Sequence, residues 1–234
     1  VKGSSIARES DYVLYTHAGP EIAVASTKAY SVQVAVMYLI AFRLALVSGK
    51  ISEQEAAEYM TTMMNTINKV EEVLGYDSQT ERIAKRLTKA TDIFFLGRGL
   101  DYALSCEGSL KLKEISYIHS EAYAAGELKH GPIAMLDETL PVLSIMMTGK
   151  VYEKILSNAQ ESKARNARMI ALTDSTDEKL DELFDYVLNV PHVHEMVSPI
   201  MAIVPLQLLA YYISKEKGLD VDKPRNLAKS VTVE

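Results

Sequence analysis

The segment Asp92-Ile93-Phe94-Phe95-Leu96-Gly97-Arg98-Gly99 decides the fold that the sequence predicts. Its four consecutive apolar residues, 93–96, are typical of a short strand that is buried on both faces. The strand runs into a glycine-rich turn, and a helical pattern follows from about Tyr102 to Tyr117. A buried strand, a tight turn and a helix are the first parts of a βαβ unit, so this stretch predicts a parallel sheet.

Strands and helices continue to alternate downstream of this unit. The further predictions are strands at 141–147, 169–172 and 186–190 and helices at 153–166 and 198–217. We therefore expect an α/β fold, a three-layer α-β-α sandwich with a mostly parallel sheet, over residues 76–217. Residues 218–234 contain a proline and no long periodic pattern, so they are predicted to form a tail.

Upstream of the sheet, the sequence predicts helices. A long apolar helix begins at Ser26 or Thr27 and ends at Ser48-Gly49. A second helix begins at Ser52, which can form a capping box with Glu55. Only a short strand at 12–16 is predicted here, and the first 75 residues are therefore too poor in strands to form a sheet domain by themselves.

The most apolar stretch of the chain, residues 32–47, belongs to the first of these helices. It includes Gln33 and Arg43 and falls short of the roughly 20 apolar residues that a membrane span requires. We therefore predict a buried helix and no association with a membrane.

Composition and charge exclude several classes of function. The chain has 234 residues, 48% hydrophobic and 24% charged, and can bury a core. A formal net charge of −6 argues against nucleic acid as a partner. The single cysteine, Cys106, excludes an internal disulfide and indicates a cytoplasmic protein. Because Cys106 lies in a helical pattern between apolar neighbours, we expect a buried, inert thiol.

Two motifs give weak indications of a cofactor or metal site. The turn Gly97-Arg98-Gly99 could hold a phosphate, but Tyr102 stands where a dinucleotide fingerprint needs a third glycine, and turn geometry alone explains such glycines. His192 and His194 are spaced like metal ligands but lack further ligands, which favours loop residues. We therefore predict no metal and no cofactor.

Residues with acid–base chemistry occur in three further places. Glu107, Lys111 and Glu114 recur at spacings of four and three, so they share one helix face, which could be a solvated salt-bridge face or part of a site. His130, in a predicted loop, is a candidate acid or base. Lys229 lies in the tail, where it could belong to a frayed end or supply an amine for carbonyl chemistry.

Three separated segments carry a resemblance to a known family. The stretches EGSLKLKEISYIHSEAYAAGELKHGP (107–132), GPEIAVASTKA (19–29) and DKPRNLAKSVTVE (222–234) resemble the isomerase half of the glucosamine-6-phosphate synthases. That half consists of two tandem sugar-isomerase (SIS) domains, each a parallel sheet between helices. The resemblance implies that residues 1–75 are the end of a first SIS domain with linker helices, 76–217 a complete second SIS domain, and 218–234 an active-site tail.

The resemblance also implies a role for individual residues. Glu114 resembles the base that moves a proton between C1 and C2 of the sugar, and Lys111 resembles a supporting lysine. His130 resembles the histidine that assists ring opening from across the interface of a homodimer. Lys229 resembles the lysine that forms a Schiff base with the open-chain ketose. The positions that match sugar-phosphate contacts are Val24, Ser26 and Ala228.

The family activity converts fructose 6-phosphate and glutamine-derived ammonia to glucosamine 6-phosphate, and it uses a glutaminase domain that this sequence lacks. The serine- and threonine-rich phosphate loop of the first SIS domain, S-x-S-G-x-[ST], is also missing. We therefore expect the chain alone to be nearly inactive and to bind fructose 6-phosphate weakly. A sugar-phosphate-binding module without catalysis is the alternative, although such a module would need none of Glu114, His130 and Lys229.

Overall fold

A computed structural model describes residues 2–229 of the chain, and its centre is a parallel sheet of five strands. The sheet has the order β2-β1-β3-β4-β5, and every neighbouring pair is parallel. The predicted α/β class is thereby confirmed. The strands are β1 (Asp92–Gly97), β2 (His119–Ala124), β3 (Pro141–Ile145), β4 (Arg168–Thr173) and β5 (Tyr186–Asn189).

Eight α-helices accompany the sheet in the described part of the chain. They are α1 (Ser5–Glu9), α2 (Lys28–Val47), α3 (Glu53–Leu74), α4 (Asp77–Leu87), α5 (Leu100–Ser116), α6 (Tyr152–Lys163), α7 (Lys179–Leu183) and α8 (Ser198–Glu216). The capping box predicted at Ser52 is present, since the Ser52 hydroxyl accepts the Glu55 N–H while the Glu55 carboxylate accepts the Ser52 N–H. The short helices α1 and α7 were not predicted.

The central strand β1 shows why the sheet needs helices on both faces. Ile93 and Phe95 pack into one core with α4, α5 and α8, while Phe94 and Leu96 pack into a second core with α6 and α7. All four side chains are at most 1% exposed. Alternate side chains of a strand point to opposite faces, so an unbroken apolar run requires two helical layers. These layers give the predicted three-layer sandwich.

One strand escaped the sequence prediction, which assigned no strand or helix to residues 119–124. β2 is polar and lies at the edge of the sheet, paired only with β1 among the described strands. Its exposed positions, such as His119 and Glu121, interrupt the apolar run that marks a buried strand. Its backbone is nevertheless held in register with β1, from Asp92 opposite His119 to Gly97 opposite Ala124.

The segment before the sheet domain differs from expectation in two respects. Residues 12–16 do not form the predicted strand, because no neighbouring strand pairs with them in the described chain. The predicted burial of α2 is also wrong for this chain by itself, because none of its residues is buried. Tyr38 stacks on Phe42 of the same helix, and Phe42 stacks on Tyr59 of α3. Met37, Leu44 and Val47 nevertheless remain more than 60% exposed.

Two helical stretches in residues 2–229 are long and apolar enough to cross a bilayer by length and composition, α2 and residues 195–216. The second stretch contains α8, which is mostly buried between the sheet and its neighbouring helices. A core helix passes the same test, so this is weak evidence for a membrane span. α2 has 20 residues and is therefore longer than the apolar stretch 32–47 on which the sequence analysis based its prediction.

Candidate active site

The charged face of α5 is a partly buried ion cluster. Lys111 Nζ lies 2.6 Å from Glu114 Oε2 and 3.6 Å from Glu107 Oε1. The Lys111 side chain is only 5% exposed, against 22% for Glu114 and 16% for Glu107. The spacing alone is equally compatible with a solvated salt-bridge face. The structure excludes that alternative, because the Lys111 side chain at the centre of the face is almost completely buried.

The environment of this cluster favours the protonated form of Glu107. Burial raises the pKa of Glu107, and the charge of Glu114 raises it further while Lys111 opposes both. Burial, with the charge of Glu107, raises the pKa of Tyr30 to about 12. Glu114 Oε2 is buried and accepts no aligned hydrogen bond from the described residues despite its short contact with Lys111. A carboxylate oxygen of this kind has a free position at which to accept a proton.

The N-terminal loop and the tail meet beside this helix. The Val24 N–H donates to the Asp222 carbonyl oxygen at 2.9 Å. Glu21 accepts the Thr27 N–H at 2.8 Å and lies 3.3 Å from Lys229 Nζ. A cavity of about 210 Å³ lies between the N-terminal loop, α5, α8 and the tail. Its lining consists of Ala23, Ala25, Thr27, Lys111, Ile115, Gln207, Tyr211, Val221 and Asp222.

The sugar-phosphate positions that the sequence predicted lie in the same region. Val24 is joined to the tail by its backbone, and the Ser26 hydroxyl contacts Glu21. Ala228 is exposed and precedes Lys229, whose side chain is 45% exposed. One copy of the chain thus brings Lys111 and Glu114 into the neighbourhood of the loop and the tail.

His130 is the candidate that a single copy does not bring to this cavity. It ends a 3-10 turn, Ala125–His130, that follows β2. Ala125 and Leu128 of that turn pack into the core on the α6 and α7 side of the sheet, whereas Leu112 and Ile115 of α5 pack on the other side. His130 is exposed and makes no hydrogen bond or ion pair within residues 2–229.

The glycine turn after β1 is explained by backbone geometry. A Cβ on Gly97 would lie 2.3 Å from the Asp101 carbonyl oxygen, and Gly99 has a φ of +57°. The crevice beside this turn is acidic, since the Asp101 carboxylate is buried there and accepts the Met147 N–H at 3.2 Å. Burial raises the pKa of Asp101 to about 7, with help from Asp174 and Glu195 and against the Met147 hydrogen bond. Such surroundings are unfavourable for a phosphate.

Three of the other four histidines have structural partners. His192 Nδ1 lies 2.6 Å from Asp174 Oδ2, and His194 Nδ1 accepts the Met196 N–H at 3.2 Å. Both follow β5, as predicted for loop residues. His119 Nδ1 lies 2.7 Å from Asp92 Oδ1. Within residues 2–229, no three His, Cys, Asp or Glu side chains are grouped as ligands for a metal ion.

The expectation for Cys106 was wrong, because the thiol is exposed. α5 is buried on the side of Leu104 and Ser105, and Cys106 lies on its outer side beside the exposed Tyr102. Apolar neighbours in the sequence do not indicate burial for a helix that has both a buried and an exposed face.

Sequence reasoning missed two residues that hold the site together. Glu21 was part of a recognised segment but received no role, and Tyr117 was treated only as the end of a helix. Tyr117 has a φ of +59°, its phenol oxygen accepts the Arg225 N–H at 2.7 Å, and its ring lies 4.3 Å from the Arg225 guanidinium. A tyrosine at a helix end, where glycine is the common residue, was the available signal.

Comparisons with known proteins add independent information. The model of the SIS domain matches residues 1–43 and 86–214. The chain is 49% identical over 234 residues to glutamine–fructose-6-phosphate aminotransferase (isomerizing) of Clostridium tetani and 47% identical to that of Methanosarcina acetivorans. Each match covers 100% of this chain but only 38% of the relative, so the chain spans well under half the length of these proteins.

Solved structures agree with these relatives. The C-terminal domain of glucosamine-fructose-6-phosphate aminotransferase from Francisella tularensis matches with a TM-score of 0.89 and 39% identity, over 95% of this chain and 63% of that one. A glucosamine-6-phosphate deaminase from Thermotoga maritima matches with a TM-score of 0.66 and 24% identity, over 98% of this chain and 64% of that one. The second likeness concerns the fold alone.

Proposed function

This chain belongs to the SIS-domain family, and on that premise we propose that it is the sugar-phosphate isomerase part of a glutamine–fructose-6-phosphate aminotransferase (isomerizing). The parent enzyme would convert fructose 6-phosphate and glutamine-derived ammonia to glucosamine 6-phosphate. The relatives' names and the 49% identity across the whole chain support this assignment.

The observation that carries the proposal is the pair of Lys111 and Glu114 beside the tail. The pair combines a buried cation with a carboxylate oxygen that lacks an aligned donor. Isomerisation between a ketose and an aldose needs a base for a carbon-bound proton, and a partly desolvated carboxylate suits that task. Lys111 would hold the Glu114 carboxylate in place before the proton is taken.

The tail would supply the amine. The Lys229 amine condenses with the C2 carbonyl of the open-chain sugar and releases one water, which forms an imine. Ammonia then displaces the lysine from C2 to leave a C2 imine. Glu114 moves a proton from C1 to C2, and the C1 hydroxyl proton passes to the imine nitrogen, so that the product is a 2-amino aldose. The contacts of the tail with Glu21 and Val24 support this role, because they hold the tail against the N-terminal loop, which lines the same cavity as Lys111.

His130 would act from a second copy of the chain. Its place on the opposite side of the sheet from α5 supports this arrangement, since one copy does not bring the imidazole to the cavity. A homodimer with two-fold symmetry would complete two equivalent sites. An imidazole near neutral pH can then transfer the proton that opens the sugar ring.

The exposed surface of α2 supports the division of the chain into parts of two domains. Residues 1–75 would be the end of a first SIS domain, which would cover α2, and 76–217 the second SIS domain with 218–234 as its tail. The separate matches at 1–43 and 86–214 agree with that division. The relatives are more than twice as long as this chain, which leaves room for the rest of the first domain and for a glutaminase domain as partner.

The test is Glu114→Gln in the full-length protein. We expect loss of isomerisation by about 10²-fold or more, because a general base is removed. Binding of fructose 6-phosphate, measured by calorimetry, should stay within about twofold, because glutamine keeps the shape and the contact with Lys111. The matched control is Glu71→Gln on the exposed side of α3, which should change neither quantity.

Retained turnover in Glu114→Gln would assign the base to another residue. A wild-type full-length protein that binds fructose 6-phosphate without turning it over would favour the sugar-phosphate-binding module instead.

A further inference from the structure

The end of α5 is fixed in an unusual way for a tyrosine. Tyr117 directly follows the helix and adopts a left-handed backbone conformation at a φ of +59°. Its N–H still donates to the Lys113 carbonyl oxygen at 3.3 Å, which closes the last turn. Glycine is the usual residue at this position because a side chain costs free energy there. Contacts of the Tyr117 side chain must therefore offset the free-energy cost of this backbone conformation.

The side chain of Tyr117 holds the tail in two independent ways. Its phenol oxygen accepts the backbone N–H of Arg225 at 2.7 Å. Its ring faces the Arg225 guanidinium at 4.3 Å from the centroid, within the range of a cation–π contact. One contact fixes the backbone of the tail and the other fixes a side chain, so they can be removed separately.

The charged groups near Arg225 do not explain why its side chain stays beside Tyr117. Burial lowers the pKa of Lys217, and the charge of Arg225 lowers it further, so a second cation lies close by. In residues 2–229, no carboxylate forms an ion pair with Arg225. The attraction that keeps the Arg225 guanidinium on this surface is thus the face of the Tyr117 ring.

We propose that Tyr117 is a positioning residue that sets the place of the Lys229 amine relative to Glu114. Glu114 precedes Tyr117 by three residues on the same helix end, and Lys229 follows Arg225 by four residues in the tail. The Tyr117–Arg225 contacts therefore join the proposed base and the proposed amine through two short, defined segments. This inference rests on the proposed function, because it concerns the same site.

The experiment uses the full-length protein and two readouts. The first is hydrogen exchange at the Arg225 amide, which needs no substrate. The second is the rate at which borohydride traps the Lys229 imine with fructose 6-phosphate, measured against sugar concentration. Tyr117→Phe removes the hydrogen bond and keeps the ring, Tyr117→Leu removes both, and Arg225→Ala removes only the cation–π contact.

We expect Tyr117→Phe to speed exchange of the Arg225 amide about fivefold, the effect of one lost hydrogen bond. The maximal trapping rate should fall by about three- to tenfold in Tyr117→Phe and further in Tyr117→Leu, while half-saturation stays within about twofold. Arg225→Ala should lower the trapping rate by about threefold with little change in exchange. A purely structural role would instead lower thermal stability and weaken sugar binding.

The matched control is Tyr102→Phe, an exposed tyrosine on the same helix, which should change neither readout. The proposal is overturned if Tyr117→Phe and Tyr117→Leu leave both the amide exchange and the trapping rate at the wild-type value. Lys229→Arg tests the proposed function separately from the role of Tyr117, because this variant must form no trapped imine if Lys229 is the Schiff-base lysine. If the wild type forms no trapped adduct at Lys229, both the Schiff-base role and this inference are wrong.

Discussion

Lys229 Nζ lies 3.3 Å from Glu21 Oε2, although the two residues are 208 positions apart in the chain. The loop that carries Glu21 and the tail that carries Lys229 both lack regular secondary structure. They are joined by this ion pair and by the hydrogen bond from the Val24 N–H to Asp222. The proposed amine is thus held by a carboxylate from the opposite end of the chain.

Glu21→Gln tests the contribution of that carboxylate to the order of the tail. Burial acts to raise the pKa of Glu21, but the Thr27 N–H and Lys229 outweigh it and lower the pKa below 4.5. A carboxylate with a lowered pKa stabilises the fold above its ordinary pKa, and that stabilisation is lost as the pH falls through the folded-state value. Amide protection of residues 221–229 should therefore fall in the wild type between pH 6 and pH 3.

The Glu21→Gln variant should show lower protection at pH 6, by about two- to fivefold, and no further loss on acidification. Hydrogen exchange corrected for its intrinsic pH dependence measures both quantities. Glu9→Gln, in the exposed helix α1, should behave like the wild type. Wild-type protection with wild-type pH dependence in Glu21→Gln would contradict the prediction.

Lys111→Met tests the ion cluster on α5. The substitution leaves Glu107 and Glu114 without the cation that lies 3.6 and 2.6 Å from them. Lys111 at present opposes the rise in the pKa of Glu107, so its removal should raise that pKa further. A carboxylate with a raised pKa costs stability as the pH rises through the interval between its unfolded and folded values.

We therefore expect Lys111→Met to destabilise the protein by about 2 kcal/mol at pH 8 and by much less at pH 4. Urea unfolding at the two pH values measures the difference. Lys113→Met, two residues away on the exposed side of α5, should stay within about 0.5 kcal/mol of the wild type at both. An equal loss at pH 4 and pH 8 would mean that packing, and not charge, explains the effect.

Asp101→Asn tests the acidic crevice at the end of β1. Burial is the main cause that raises the pKa of Asp101 from 3.8 to about 7. The folded state therefore binds this proton more tightly than the unfolded state, so wild-type stability should fall as the pH rises from about 4 to 7. Asparagine does not titrate, and its side-chain oxygen can still accept the Met147 N–H.

Relative to the wild type, Asp101→Asn should gain about 2 to 4 kcal/mol of stability between pH 5 and pH 8. Urea unfolding across that range measures the gain, and Asp11→Asn in the exposed N-terminal segment serves as the control. If the free energies of unfolding of the wild type and Asp101→Asn changed in parallel between pH 5 and pH 8, Asp101 would be ionised over this whole range and the prediction would be wrong.

The outline of the sheet could be predicted because its inner strands are buried on both faces. The runs around Ile93 and Ile170 are apolar without interruption, and the run around Val142 is broken only by the buried Ser144. Such runs have few alternatives in a chain with helices between them. β2 could not be found in the same way, because an edge strand has exposed side chains and its apolar signal is weak. For α2 the sequence signal was misleading in the opposite direction, since its apolar composition predicted burial but none of its residues is buried in the described chain.

The sequence by itself determined the local features: the strand and glycine turn at 92–99, the capping box at Ser52, and the face of α5 that carries Lys111 and Glu114. Each depends on residues within a few positions of one another, where backbone geometry and side-chain period decide the result. Only the tertiary structure decided that Glu21 contacts Lys229, that Tyr117 contacts Arg225, and that the turn ending at His130 packs on the side of the sheet opposite α5. Those relationships depend on how the elements pack, and the free energy of packing comes from the whole core and not from any short segment.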